Sequence, residues 1–427
     1  ERMAVVIEAS AEEEFKRYCA EENIEVTHVA DVTDSRRMRM YNKGKLVVDL
    51  SREFIDSAGA KHYAQAAIGA VEERDPFRRE VKGGTLREKM LANLADDNVL
   101  SQKGLIEMFD STIGASTVLL PFGGRTQRSE TQVSVQKLPT DGYTDTASIM
   151  AFGYNPFLAS WSPYHGAAYA VVDAAAKVVA AGARYDKMRY SYQEYFERMT
   201  KSPRTWGKPL GALLGALKMP IEGSPSSTDF KKAGHSIYLV RHTPLENHMP
   251  DTGALKRNFD FVSSAIESGK IVSGYAVGFG GVAEALAKMS FGNGIGADVE
   301  VDEATLFDNS YGSIVVESTE PLDFPAAELL GHTEAEESLT INGEKMPLEE
   351  LYRANTERFA TVYPDKGINH APVMEAMPAL RSFTYPGGAV ERPVVFIPVF
   401  PGSNCDYDTA KAFRRAGAEV RSEVFCN

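Results

Sequence analysis

One arrangement of predicted strands occurs twice in the chain of 427 residues. Near the N-terminus, MAVVIEA and EVTHVADV predict strands, and RMRMY and KLVVDL predict a hairpin that turns at Asn42-Lys43-Gly44. Later, GSIVVES predicts a strand, and SLTI and KMPL predict a hairpin that turns at Asn342-Gly343. Because three successive elements agree in order, we favour an internal duplication, with two unrelated hairpins as the alternative. We therefore expect an α/β fold whose subdomains are sheets packed by helices.

The two copies differ in what precedes them. The second copy follows a long upstream portion, whereas the first lies at the start of the sequence. From Pro393 onward, PVVFIPVF predicts a strand, followed by a glycine-containing loop and a helix that opens near Asp406. Such a unit normally starts a parallel α/β domain, which is much longer than the stretch present here. We expect the chain to enter one domain late and to leave another early.

The composition argues against several classes of protein. A net charge of −13 is unfavourable for a nucleic-acid-binding protein, whose binding face is basic. Cys19, Cys405 and Cys426 lie far apart, which predicts neither a disulfide framework nor a metal cluster and fits a reducing cytosol. No apolar run approaches the ~20 residues that a membrane span needs. We expect a cytoplasmic α/β protein that binds neither nucleic acid nor membrane.

Two segments carry charged or glycine residues in positions that suit a ligand. The stretch 164–181 predicts a helix rich in Ala and Val, interrupted at i, i+4 by Asp173 and Lys177 and ended by Gly182. This pair is either a solvated ion pair or a buried pair in which each charge needs the other. Further on, Gly280-Gly281 precede a predicted helix, where backbone N–H groups either receive a phosphate or merely permit a tight turn.

Cys405 is the cysteine whose position best suits a nucleophile. It follows a predicted strand and precedes a helix, where a thiolate is stabilised. A nucleophile needs a base, and the eight histidines form no motif with it. We therefore expect no catalytic role for Cys405.

Several motifs together resemble one family, the phosphoribosylformylglycinamidine synthases, also called formylglycinamide ribonucleotide amidotransferases, in their large single-chain form. The resemblance lies in LSQKGLIEMFD, PTDGYTDTAS, HGAAYAVVDAAAKVVAAGA, WGKPLGALLGAL, IVSGYAVGFGGVAEALAKMSFGNGIG and IPVFPGSNCDYDTAKAFRRAGAE. It implies two aminoimidazole-ribonucleotide-synthetase-like halves, each with N- and C-terminal subdomains and assembled as a pseudo-dimer, followed by a class I glutamine amidotransferase domain. The implied divisions are the end of the first half's C-terminal subdomain at 1–75, the second half's N-terminal subdomain at 76–200 and C-terminal subdomain at 201–365, a linker at 366–392, and the start of the glutaminase at 393–427.

The resemblance implies a carbon–nitrogen ligase of purine biosynthesis. The family uses ATP, Mg²⁺ and glutamine to convert formylglycinamide ribonucleotide into formylglycinamidine ribonucleotide. Its catalytic residues are expected outside this chain, so the isolated chain is not expected to be fully active. Within the chain, the loop Gly402-Ser403-Asn404 is implied to line the glutamine pocket. The oligomeric state stays open.

The resemblance also implies a nucleotide pseudo-site in the second half, formed by Asp141, Asp173, Lys177, Gly280 and Gly281. Asp141 and Asp173 match metal-binding carboxylates of the family pattern, whereas Lys177 stands where the pattern has asparagine. Ala276 and Phe279 replace two expected aspartates. We expect the Lys177 ammonium to replace Mg²⁺, leaving a metal-free structural remnant with a possible structural ADP.

Two alternatives stay open beside the partial amidotransferase. One is a non-catalytic nucleotide-binding or assembly scaffold of the same superfamily, which the lost ligands favour. The other is a different ATP-dependent member, such as a selenophosphate-synthetase or hydrogenase-maturation relative, which FPGSNCDYD argues against. The family also has a longer stretch after WGKPLGALLGALKM, so we expect a discontinuity close to Met219–Ser227.

Overall fold

The computed structural model describes residues 3–57, 63–109, 116–140, 142–185, 188–219, 228–364, 390–400 and 402–425. The chain forms two compact units, one of Ala64–Pro372 and one of Glu1–Tyr63 together with Val373–Asn427. Both units contain helices and strands, which confirms the predicted α/β class. The finer domain boundaries stay a prediction, and the expected discontinuity lies largely at 220–227, outside the described residues.

The helices and strands are numbered in chain order. The helices of the described residues are α1 (Glu12–Glu21), α2 (Arg52–Asp56), α3 (Leu86–Leu94), α4 (Lys103–Ile106), α5 (Pro156–Trp161), α6 (Pro163–Ala180), α7 (Pro203–Leu217), α8 (Thr252–Glu267), α9 (Gly281–Phe291), α10 (Glu303–Phe307), α11 (Leu348–Thr356) and α12 (Asp406–Arg415). The strands are β1 (Arg37–Asn42), β2 (Lys45–Ser51), β3 (Phe122–Gly123), β4 (Ser129–Glu130), β5 (Ser134–Lys137), β6 (Ala147–Met150), β7 (Ser236–Val240), β8 (Ile271–Ala276), β9 (Gly296–Val299), β10 (Ile314–Ser318), β11 (Ala327–Glu334), β12 (Ser338–Ile341), β13 (Glu344–Pro347), β14 (Val394–Val399) and β15 (Glu419–Val424).

A seven-stranded sheet forms the centre of the larger unit, in the order β13-β12-β9-β11-β7-β10-β8. Its neighbouring strands are antiparallel except β9 and β12, which are parallel. Along β7, Ile237 and Leu239 enter one hydrophobic core, whereas Tyr238 and Val240 enter the other. Successive side chains of a strand point to opposite faces, so helices cover both faces of this sheet. Residues of α9 and α11 complete the first core, and residues of α6 and α8 complete the second.

Helix α6 confirms the helix predicted at 164–181. Ser162 caps it by accepting a hydrogen bond from the backbone N–H of His165, and Pro163 occupies its first turn. Gly182 follows its last turn with φ 77°, the left-handed conformation that ends many helices. The small side chains of α6 let α7 approach closely, and Gly215 of α7 lies against the backbone of Tyr164 in α6.

Both predicted hairpins are confirmed. Strands β1 and β2 pair antiparallel around Lys43 (φ 48°) and Gly44 (φ 77°). Strands β12 and β13 pair in the same way around Asn342 (φ 51°) and Gly343 (φ 80°). Two successive positive φ angles define the type I′ turn, whose twist matches that of the strands. A helix follows each hairpin directly, so the two copies share a hairpin and a helix, and the duplication stays a prediction.

Two predicted strands near the N-terminus are wrong. Residues 3–8 and 24–33, which include most of MAVVIEA and EVTHVADV, are exposed and form no strand. A strand exists only where a neighbour satisfies its backbone hydrogen bonds. Among the described residues, β1 and β2 pair only with each other, and neither 3–8 nor 24–33 joins them.

The C-terminal stretch of the smaller unit has the predicted strand and helix. Strand β14 leads through the loop to α12, and β15 then returns parallel to β14 over its full length. This is a β-α-β unit, the building block of parallel sheets. The predicted strand, loop and helix are thereby confirmed, and their assignment to the start of a glutaminase domain stays a prediction.

Candidate functional site

The first predicted pair, Asp173 and Lys177, is a buried ion pair on α6. Lys177 Nζ lies 2.8 Å from Asp173 Oδ2, and the two side chains are 14% and 5% exposed. The ammonium also donates to the carbonyl of Phe152 at 3.0 Å and lies 4.7 Å from the centre of its ring. Burial raises the pKa of Asp173, and the neighbouring ammonium opposes that shift. Of the two sequence-based interpretations, the buried pair is the one that the structure contains.

The second predicted feature, Gly280-Gly281, begins α9. Gly281 has φ 69°, and a Cβ there would lie 2.5 Å from the carbonyl oxygen of Leu306. The turn therefore needs glycine for its conformation and its packing. The backbone N–H of Gly280 donates to Oε2 of Glu284 at 2.8 Å. A side chain of the same helix thus occupies one backbone donor at the start of α9.

Glu284 belongs to a second buried group of charges, which sequence reasoning missed. Lys288 Nζ lies 3.0 Å from Glu284 Oε1 and 2.6 Å from Glu130 Oε2. The Tyr275 hydroxyl donates to Glu284 at 3.4 Å. The pKa of Lys288 stands well above its ordinary value, because the attraction of the two carboxylates exceeds the opposing cost of burial. Glu284 and Lys288 sit at i, i+4 in an apolar helix, the same signal that identified Asp173 and Lys177.

The two acid–lysine pairs lie in one region of the larger unit. The charge of Glu284 reaches Asp173 and helps to raise the pKa of that carboxyl group. Phe279, just before the glycines, stacks on Phe157 with ring centres 5.3 Å apart and carries the guanidinium of Arg79 at 4.2 Å on its ring. Apolar and cationic groups therefore fill the space beside the glycine turn.

Ala276, where the resemblance implied a lost aspartate, has a structural role at the end of β8. Its backbone N–H donates to the Gln132 side chain at 2.8 Å, and its carbonyl accepts from the same amide at 3.0 Å. The Gln132 amide thus makes the two hydrogen bonds that a neighbouring strand would make, and it satisfies both the backbone N–H and the carbonyl of Ala276. The position fixes the segment that carries Glu130 against β8.

Among the described residues, the carboxylates of this region do not by themselves form a Mg²⁺ site. The described part of the chain contains no cluster of three or more His, Cys, Asp or Glu side chains that could hold a metal ion. Asp141, the second implied ligand, lies outside the described residues. Magnesium requires an octahedron of oxygen ligands, whereas Asp173 and Glu284 each face an ammonium group.

The implied glutamine-pocket loop is exposed in the smaller unit. Gly402 has φ 87°, and Ser403 closes the turn by donating its N–H to the Phe400 carbonyl at 2.8 Å. The Phe400 N–H donates to the Ser403 hydroxyl at 3.0 Å, and Asn404 follows on the surface. Cys405 is exposed and left-handed, with φ 61°. The loop is thus an ordered turn before α12.

Comparison with known proteins gives sequence relatives from one family. The phosphoribosylformylglycinamidine synthase subunit PurL of Thermoplasma acidophilum is 24% identical over 355 residues, which covers 71% of this chain and 46% of that protein. The same subunit of Zymomonas mobilis is 23% identical over 447 residues, 83% of this chain and 56% of its own length. The chain spans about half the length of the curated relatives that it matches. These relatives confirm the resemblance predicted from the motifs.

Other comparisons give weaker similarity. No family model matches the sequence. PurLQS from Thermotoga maritima superposes with a TM-score of 0.43 at 15% identity, covering 73% of this chain and 55% of that one. Thiamine monophosphate kinase from Aquifex aeolicus gives a TM-score of 0.33 at 11% identity, covering 48% of this chain and 91% of that one.

Among the described residues, no helix is both long and apolar enough to cross a membrane.

Proposed function

We propose that this chain, a relative of the phosphoribosylformylglycinamidine synthases, takes part in the ATP-dependent conversion of formylglycinamide ribonucleotide to formylglycinamidine ribonucleotide. The observation that carries the proposal is sequence similarity to subunits of that name over 71% and 83% of the chain. The proposal includes a cytoplasmic location and Mg²⁺ as the ion that accompanies ATP. Because the chain spans about half of each relative, the remaining machinery belongs to the complete enzyme.

The proposed reaction replaces the amide oxygen of the substrate by nitrogen. The γ-phosphoryl group of ATP is transferred to the amide oxygen, which gives ADP and an iminophosphate. Ammonia then attacks the amide carbon, and the carbon–oxygen bond breaks to release phosphate. Each amidine formed therefore yields one ADP and one phosphate that contains the original amide oxygen. The buried charges of α6 and α9 take no step in this reaction.

We further propose that the ammonia comes from glutamine, bound beside the loop that contains Gly402, Ser403 and Asn404. The supporting feature is the β14–α12–β15 unit, whose first loop presents these residues to solvent before a helix. In this role, backbone and amide groups of the loop bind the glutamine substrate. The nucleophile of such a domain lies elsewhere, so Cys405 is assigned no step.

The test uses the native protein, purified from its source organism. With formylglycinamide ribonucleotide, ATP, Mg²⁺ and glutamine, we expect amidine formation matched by ADP release, and with ammonium chloride in place of glutamine we expect the same product. Absence of any substrate-dependent ADP release with either nitrogen donor would contradict the proposed function.

A pair of variants separates glutamine use from synthesis. We expect Asn404→Ala to lower the glutamine-dependent rate while the ammonia-dependent rate is retained, because ammonia bypasses the glutamine site. Asp408→Ala, an exposed change on the neighbouring helix, should retain both rates. Equal loss of both rates in Asn404→Ala would contradict the assignment of the loop to glutamine.

A non-catalytic scaffold is the second candidate. Lys177 and Lys288 neutralise the carboxylates Asp173 and Glu284, an arrangement that suits a structural role for this region. A scaffold shows no turnover that depends on formylglycinamide ribonucleotide. Substrate-dependent ADP release by the native protein would exclude it.

A further inference from the structure

Helices α6 and α9 of the larger unit repeat one arrangement of charges. Helix α6 carries a carboxylate and, four residues later, a lysine that pairs with it, namely Asp173 and Lys177. Helix α9 carries Glu284 and Lys288 at the same spacing. All four side chains are at most 14% exposed. Buried charges of this kind persist only with partners. Each lysine pairs with a carboxylate of its own helix, and Lys288 also pairs with Glu130 of β4.

We propose that these helices form a nucleotide pseudo-site that the chain's own side chains occupy. Glu284 takes the position of a phosphate on the backbone N–H of Gly280, and the ammonium groups of Lys177 and Lys288 take the positions of divalent cations. The region therefore binds neither Mg²⁺ nor the phosphates of a nucleotide. This inference rests on the proposed function only in naming Mg²⁺ and a nucleotide as the ligands that are excluded. Its tests measure binding and stability rather than turnover.

The anion position is filled by geometry. Oε2 of Glu284 accepts from Gly280 N–H at 2.8 Å, and the Glu284 side chain is 9% exposed. The N-terminus of a helix attracts an anion through its free N–H groups and its dipole. A carboxylate supplied by the next turn satisfies that attraction. An entering phosphate would meet the Glu284 carboxylate, and like charges repel.

The cation positions are filled by lysine. Oδ2 of Asp173 and Oε1 of Glu284 each lie within 3.0 Å of an ammonium nitrogen. Two carboxylate oxygens, Oδ1 of Asp173 and Oε1 of Glu130, have no hydrogen-bond partner among the described residues. They belong to separate carboxylates, and both oxygen atoms are buried. A metal ion entering here would have to displace a buried ammonium.

The first test measures cation binding to the complete protein. Mn²⁺ is titrated into the wild type and Lys288→Ala, with binding followed by electron paramagnetic resonance and thermal midpoints compared in MgCl₂ and in chelator. We expect the thermal midpoint of the wild type to be the same in MgCl₂ and in chelator. We expect Lys288→Ala to melt at a lower temperature, to regain part of the loss in Mg²⁺, and to bind Mn²⁺ at least about tenfold more tightly than the wild type. Lys345→Ala, which removes a lysine from a surface ion pair, is the control and should show no metal dependence.

Two outcomes would overturn the cation part of the inference. One is Mn²⁺ bound by the wild type and released in Asp173→Asn. The other is a Lys288→Ala protein whose midpoint and Mn²⁺ affinity do not respond to the missing ammonium. If Lys288→Ala does not fold, Lys177→Ala replaces it, because it frees the Asp173 carboxylate in the same way.

The second test addresses the anion position. ADP and inorganic phosphate are titrated calorimetrically into the wild type and Glu284→Ala, with and without Mg²⁺. We expect every binding event of the wild type to persist in Glu284→Ala, because this region contributes none of them. A nucleotide event that disappears in both Glu284→Ala and Lys177→Ala would contradict the inference. That result would leave the proposed function intact, since turnover is measured separately.

Discussion

The packing of α7 on α6 gives opposite predictions for two glycines of one helix. Gly211 and Gly215 lie one turn apart in α7, and both are buried. A Cβ at Gly211 would meet its nearest atom, the backbone nitrogen of Tyr164, at 3.8 Å. A Cβ at Gly215 would lie 1.9 Å from the carbonyl oxygen of Tyr164. The first distance is an ordinary contact, whereas the second requires the two helix backbones to separate.

The two substitutions should therefore change stability with opposite signs. Gly211→Ala should increase the free energy of unfolding by about 1 kcal/mol, because alanine favours the helix and the methyl group has room. Gly215→Ala gains the same propensity, but overpacking costs about 1–3 kcal/mol or more, and backbone atoms yield less than side chains. We expect a net loss of about 2 kcal/mol for Gly215→Ala, a difference of about 3 kcal/mol between the variants.

Urea unfolding followed by tryptophan fluorescence measures this difference. The two tryptophans of the chain, Trp161 and Trp206, both lie in the larger unit, so their signal reports the unit that contains α6 and α7. The denaturant dependence should be equal in the two variants, because the surface exposed on unfolding is the same. Equal midpoints for the two variants, or a higher midpoint for Gly215→Ala, would refute the α6–α7 packing.

Three further predictions follow from single side chains. Lys177→Ala should lower the free energy of unfolding by about 3–5 kcal/mol, because it leaves the buried Asp173 without its counter-ion. The control Lys137→Ala, in an exposed pair, should cost less than about 1 kcal/mol. Thermal melts of both variants measure the difference, and the double variant Lys177→Ala/Asp173→Asn should regain stability. Burial lowers the pKa of His242, so the unfolded chain takes up a proton that the folded state resists, and stability falls as pH drops below about 6.5. His242→Asn should reduce the slope of unfolding free energy against pH by up to about 1.4 kcal/mol per pH unit. Equal slopes in the wild type and His242→Asn would count against the buried imidazole. Gly343→Ala should lower the free energy of unfolding by about 1–2 kcal/mol because of the left-handed backbone alone, since no atom lies within 4 Å of the new Cβ. Gly343→Asn should lower it by less. Equal urea midpoints for the wild type and Gly343→Ala would contradict the type I′ turn.

Local patterns were sufficient where the determining interactions are local. The two hairpins follow from residues that adopt positive φ at Lys43-Gly44 and Asn342-Gly343, and α6 follows from its cap, its small residues and its closing glycine. The strands predicted at 3–8 and 24–33 failed because a strand depends on a neighbour that a sequence window does not contain.

The candidate site shows the same limit. The i, i+4 spacing in α6 predicted the pair Asp173–Lys177, and the same rule applied to α9 would have found Glu284 and Lys288. Glu130 could not have been found in this way, because it is distant in sequence and reaches Lys288 only through the fold. The hydrogen bond from the Gly280 N–H to Glu284 likewise bears on whether this turn receives a phosphate, and only the structure contains it.

The fate of the amide oxygen tests the central proposal most directly. Formylglycinamide ribonucleotide that carries a heavy-oxygen label at its amide is incubated with the native protein, ATP, Mg²⁺ and ammonium chloride, and the inorganic phosphate is analysed by mass spectrometry. We expect one labelled oxygen in each phosphate released, together with one amidine product. Phosphate without the label would mean that ATP is hydrolysed by water, and it would contradict a role for this chain in the synthase reaction.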